Sequence, residues 1–141
     1  MSELFCLSAY ETSAREFFEA LDAHHADLVL DVRLRNTSQL CGFTKQRDLA
    51  YLVERISGAR YACDPAFAPT GEMLDAYLKH RHSWEEYAEE YHELMERRGA
   101  REMFEQTYAP YAHICLLGTA TRKRRSHNEV LRDLLAQGSR A

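Results

Sequence analysis

Hydrophobic and polar positions along the chain alternate between strand-like and helix-like spacing. Residues 4–9 form a short apolar run that predicts a first strand. Ser13 with Glu16 three residues on is a capping box, in which the two side chains satisfy two backbone donors at a helix start. Phe17, Phe18 and Leu21 give that helix an apolar face, which fades at His24 and His25. Residues 28–32 are apolar except for Asp31. So continuous a run predicts a strand buried on both faces, as parallel sheets require. The polar stretch 33–42 predicts a loop. Thr44 is expected to cap a second helix, with Leu49, Leu52, Val53 and Ile56 inward and Gly58 as its left-handed terminator. Arg60–Cys63 predicts a third strand, and 64–71, with two of the three prolines, a rigid loop.

A helix over 72–79 follows. Ser83 and Glu86 repeat the capping box and open a longer helix with Trp84, Tyr87, Tyr91, Leu94 and Met95 inward. Its outer face carries Glu85, Glu89, Glu90, Glu93 and Glu96, and Arg97, Arg98 and Gly99 end it. A short helix over 101–108, a last strand over 113–117 and a last helix over 126–136 complete the chain. Strands alternating with helices predict one α/β domain over residues 1–141. Its expected architecture is a three-layer sandwich with a mainly parallel central sheet of about four strands. Ligands in such folds sit beyond the strand carboxyl ends, where neighbouring connections diverge.

Composition narrows the picture. The 141 residues are 45% hydrophobic and 28% charged, values of an ordinary globular chain. No apolar run approaches the roughly 18 residues a membrane span needs. No basic flank precedes the first apolar stretch, so a cytoplasmic location is expected. The net charge of -4 argues against general nucleic-acid affinity and leaves local clustering as the source of any anion site. Cys6, Cys41, Cys63 and Cys115 show no metal-site spacing, so no metal is expected, and the cofactor is left unknown.

The densest chemistry is Asp31-Val32-Arg33. Residues two apart on a strand share a side, so carboxylate and guanidinium can pair, either as a structural ion pair or to present the guanidinium to a phosphate or carboxylate. Arg35 adds a second fork. The other strand ends bring Ser8, Tyr10 and Thr119. Four cations, Arg122, Lys123, Arg124 and Arg125, precede the last helix, where a bound anion would offset their repulsion by the helix dipole. Ser126, His127 and Asn128 open that helix: Ser126 as its cap, His127 as an acid, base, anion donor or structural hydrogen-bonder. No nucleophile elbow or phosphate-cradling glycine loop occurs.

In this order, the opening strand and capped helix, Leu28 to Arg33, Phe43 and Lys45, Tyr61, the Trp84-Tyr87-Tyr91 helix and the His-bearing last helix resemble the domain of unknown function 488 family, closest to its YeaO-like branch. Many members carry a Cys-His-Arg motif at the last helix and an acidic residue after the last strand. Here Ser126-His127-Asn128 and Gly118-Thr119 stand in those places, so the resemblance implies the fold and carries no thiol chemistry over.

Three functions are expected in this order. The first is a small-molecule site, with or without catalysis, for a phosphate or nucleotide-like anion. In it Arg33 and Arg35 clamp the ligand, Asp31 holds Arg33, and His127 moves a proton or donates a hydrogen bond. Tyr10, Phe43 and Tyr61 wall the pocket, and Ser8, Thr119, Ser126 and Asn128 line it. The second is a nucleic-acid module using Arg122, Lys123, Arg124 and Arg125, whose binding would weaken with salt. The third is a protein-interaction subunit using Glu89 and Glu93. No membrane partner is expected.

Overall fold

The computed structural model describes residues 2–138. Strands β1 (Glu3–Ser8), β2 (Leu28–Asp31), β3 (Arg60–Cys63) and β4 (His113–Gly118) form one sheet in the order β1-β4-β2-β3, every pairing parallel. The described helices are α1 (Ala14–Ala23), α2 (Gln46–Leu52), α3 (Gly71–Leu78), α4 (Trp84–Arg98), α5 (Ala100–Tyr108) and α6 (Asn128–Gly138). The fold is a three-layer α/β sandwich.

Alternation along β2 assigns the faces. Leu28, Leu30 and Val32 pack with Tyr91, Leu94 and Met95 of α4, Phe104 of α5 and Leu131 of α6. Val29 packs on the other side with Phe17, Phe18 and Leu21 of α1 and Leu49 of α2. The two central strands β2 and β4 are almost wholly buried, while the edge strands β1 and β3 are half-buried. From β1 and β2 the chain departs toward α1 and α2; from β4 it departs toward α6 on the opposite face. The connections therefore diverge on both sides of β4, the arrangement that opens a crevice at the strand ends.

Local chemistry starts most helices as expected. Both capping boxes are formed, at Ser13 with Glu16 and at Ser83 with Glu86, each worth about 1 kcal/mol. Gly99, at φ 69°, ends α4 in the left-handed conformation that a side chain would strain.

Four expectations need correction. Thr44 does not cap α2: its hydroxyl donates to the carbonyls of Ala9 and Cys41 at 3.2 and 2.7 Å, and Lys45 takes the cap position without a side-chain bond. The expected 33–42 loop instead ends in a 3-10 segment, Gln39–Thr44, that buries Thr44. The second helix widens to a π-turn over Val53–Ser57, and this moves Ile56 off the 3.6-residue register to 54% exposure. The last helix begins at Asn128 rather than 126. No described helix is long and apolar enough to cross a membrane.

Candidate functional site

The carboxyl end of β2 is built around one buried ion pair. Asp31 continues the face that Val29 starts, and Arg33 lies two residues on. Asp31 Oδ1 accepts from the Arg33 backbone N and Nε at 3.1 and 2.9 Å; Oδ2 accepts from Arg33 Nη2 at 2.8 Å. Asn36 Nδ2 at 3.2 Å and the Tyr61 hydroxyl also donate to Oδ2. Both charged side chains are 0% exposed. Five donors saturate the carboxylate, so Asp31 holds Arg33 and has no lone pair left for a substrate proton.

Burial pushes the Tyr61 phenol up, and the Asp31 charge adds to it, so Tyr61 stays a donor. Burial alone would lower the pKa of Arg33, but the hydrogen bonds and charge of Asp31 raise it. Arg33 Nη2 also donates to the Thr44 carbonyl at 2.7 Å. Its other terminal nitrogen, Nη1, is buried and has no hydrogen-bond partner among the described residues. A buried polar group left in that condition costs about 1–3 kcal/mol, and more when charged.

Ser126, His127 and Asn128 stitch the sheet rather than line a cleft. The Thr119 backbone N donates to Ser126 Oγ at 3.0 Å, so that oxygen ties β4 to the chain before α6 instead of capping the helix. His127 Nε2 lies 2.7 Å from the Val32 carbonyl, and Nδ1 lies 3.2 Å from the Tyr87 hydroxyl. Burial lowers its pKa to about 4, with the Val32 carbonyl and Asp31 opposing. A neutral ring that donates from Nε2 and accepts at Nδ1 fits both contacts. Asn128 Nδ2 donates to the carbonyls of Leu7 and Leu116 at 3.2 and 2.9 Å. These three residues thus reach β1, β4 and the end of β2. His127 presents no free nitrogen to a ligand, and the geometry makes it a clamp on the Val32-Arg33 peptide.

The remaining expected residues scatter. Ser8 Oγ donates to the Ala120 carbonyl at 2.5 Å and accepts from the Tyr10 backbone N at 3.0 Å. Tyr10 and Phe43 pack against the α1 side of the core, and the Phe43 ring centroid lies 6.0 Å from that of Phe17. Arg35 points outward to Asp75, 2.9 Å away on α3, rather than beside Arg33. The basic run does not abut the helix. Thr121 and Arg124 close a turn through an antiparallel bridge, and α6 begins three residues after Arg125. Arg122 lies 3.8 Å from Glu11. Arg125 pairs with Glu129 and sits over the Trp84 ring, 4.6 Å from its centroid. Two of the four cations therefore have protein counter-charges, which removes most of the expected mismatch with the helix dipole.

The structure adds residues that the sequence pattern did not single out. Asn36 and Thr44 complete the ion-pair network, and Cys63 Sγ accepts from Asn36 Nδ2 at 3.2 Å. Thr37 follows Asn36 and Lys45 follows Thr44; with Gln39, Gln46 and Arg47 they line a cavity of about 270 Å³. Two cations are among its lining residues, and one of them, Lys45, pairs with Asp48 at 3.4 Å. The polarity of 33–42 was the available signal, but the 3-10 segment that folds it back over Arg33 leaves no periodic trace. No described group of three His, Cys, Asp or Glu could hold a metal ion.

A parallel four-stranded α/β sandwich with a buried Asp-Arg pair at its switch-side strand end is the class these features define. The chain belongs to the family described as Domain of unknown function DUF488, whose model matches residues 13–135. No curated protein and no solved structure matches it.

Proposed function

We propose that this chain binds a small oxyanion, a phosphate or a phosphorylated metabolite, at the carboxyl end of β2. The observation that carries this reading is the buried Arg33 Nη1, which lacks a partner among the described residues. Asp31 fixes the guanidinium in one orientation, so its free N–H groups are pre-organised for an acceptor. Arg47 supplies positive charge that the neutral Asp31-Arg33 pair does not; it lines a cavity with Lys45, which itself pairs with Asp48 at 3.4 Å. His127, Asp31 and Tyr61 act here as positioning groups, each holding the Arg33 peptide or side chain.

The test is thermal denaturation with inorganic phosphate, pyrophosphate and a nucleotide panel at millimolar concentration. A ligand at a hundredfold excess over its Kd stabilises by about 2.7 kcal/mol, which raises Tm by several degrees. Because removing Arg33 would strand a buried carboxylate, the first variant is the double change Lys45→Ala and Arg47→Ala, which should reduce the shift. Arg33→Lys, which keeps the charge and loses the fork, should abolish it. The absence of any anion-dependent shift in the wild-type chain would rule the proposal out.

A further inference from the structure

Arg47 lines the cavity beside the Arg33 network and is exposed at the start of α2. Tyr51 follows four residues later, so the two side chains are neighbours on one helical face, about 6 Å apart along the axis. Tyr51 is 63% exposed. Arg55, on the π-turn that continues the helix, sets its guanidinium over the Tyr51 ring, 5.8 Å from the centroid. Tyr61, Tyr77, Tyr87, Tyr91 and Tyr108 each commit a hydroxyl to another part of the chain. Tyr51 has no hydrogen bond among the described residues, and Arg47 no carboxylate partner among them. Asp48, the acid next to Arg47, is taken up by Lys45 at 3.4 Å. Glu54, exposed beside Arg55, offsets charge only at the far end of the row.

We infer that the anion of this site is the phosphate of a nucleotide whose base stacks on Tyr51. This rests on the anion-site reading and names its ligand class. The charges set the orientation. The phosphate lies at the Arg47 end, toward the cavity and Arg33, and the base lies at Tyr51 and Arg55, where charge is balanced. One helical turn separates the two ends, and in a nucleotide a single ribose separates phosphate from base. An exposed phenol ring offers its face to any base, and the Arg55 guanidinium adds a second planar surface beside it. Ile56, 54% exposed on the same π-turn, extends the apolar surface there. Because Tyr51 packs so little against the chain, its removal leaves the fold nearly as stable as before.

The experiment is calorimetric titration of the full-length chain with adenosine monophosphate, ribose phosphate, inorganic phosphate and adenosine. Adenosine monophosphate should bind on the order of tenfold more tightly than ribose phosphate, the margin that stacking one base on one aromatic ring supplies. Tyr51→Ala should remove that margin and leave the Kd of ribose phosphate unchanged. Tyr51→Phe, which keeps the ring, should retain it. Equal affinities for adenosine monophosphate and ribose phosphate in the wild-type chain would overturn the inference and leave the anion site standing, as would a preference that survives Tyr51→Ala. Binding by none of the three phosphate-bearing probes would overturn the anion site itself, whatever adenosine does.

Discussion

At the scale of single residues, Arg33 and His127 divide the labour at the end of β2. Arg33 carries the charge and His127 holds the peptide before it, through the Val32 carbonyl. With a folded-state pKa of about 4 against an ordinary 6.5, His127 resists a proton that the unfolded chain accepts. Stability is therefore fully present above pH 6.5 and falls as pH drops from there toward 4. The contribution lost is on the order of 3 kcal/mol at most. Urea midpoints measured across this window should decline in the wild-type chain and be flatter in His127→Gln; identical slopes would contradict the buried neutral ring. The Asp31-Arg33 pair was legible in the sequence because residues two apart on a strand share a side; Tyr61 was expected only as a pocket wall, and its bond to Asp31 depends on the pairing of β3 with β2. The role of His127 was not legible either, since its partners Val32 and Tyr87 lie 95 and 40 residues away in the chain.

At the scale of elements, the strands and capped helices were readable because local signals specify them. The apolar runs gave β2 and β4, and Ser-x-x-Glu gave the starts of α1 and α4. Thr44 misled because an isolated Thr before a periodic stretch has the same pattern whether it caps a helix or braces a loop. The start of α6 depends on a contact between elements. A Cβ added to Gly118 of β4 would lie 2.5 Å from Asn128 Cγ and 2.7 Å from Ser126 Oγ, so this strand end must lack a side chain for Asn128 to reach Leu7 and Leu116. Gly118→Ala should cost about 1–3 kcal/mol through overpacking. In an Asn128→Ala background the cost should shrink, and a double-mutant cycle by urea denaturation reads the difference. Additivity within about 0.5 kcal/mol would mean that the two residues do not compete for this space.

For the whole molecule, a net charge of -4 coexists with a cationic recess made by local folding. The most conspicuous cluster in the sequence, Arg122 to Arg125, is partly neutralised by Glu11 and Glu129. The less conspicuous Lys45 and Arg47 line one cavity, where Lys45 also pairs with Asp48 at 3.4 Å. Charge density along the chain does not show which cations are paired, because pairing across 111 residues, as between Arg122 and Glu11, is a tertiary event. The family match over residues 13–135 spans both regions and leaves their roles to be separated by measurement. The most direct one is phosphate titration followed by side-chain nitrogen NMR of the arginines. Arg33 Nη resonances should shift and saturate while Arg122, Arg124 and Arg125 change little. Saturable shifts at those three with Arg33 unmoved would contradict an anion site at the end of β2.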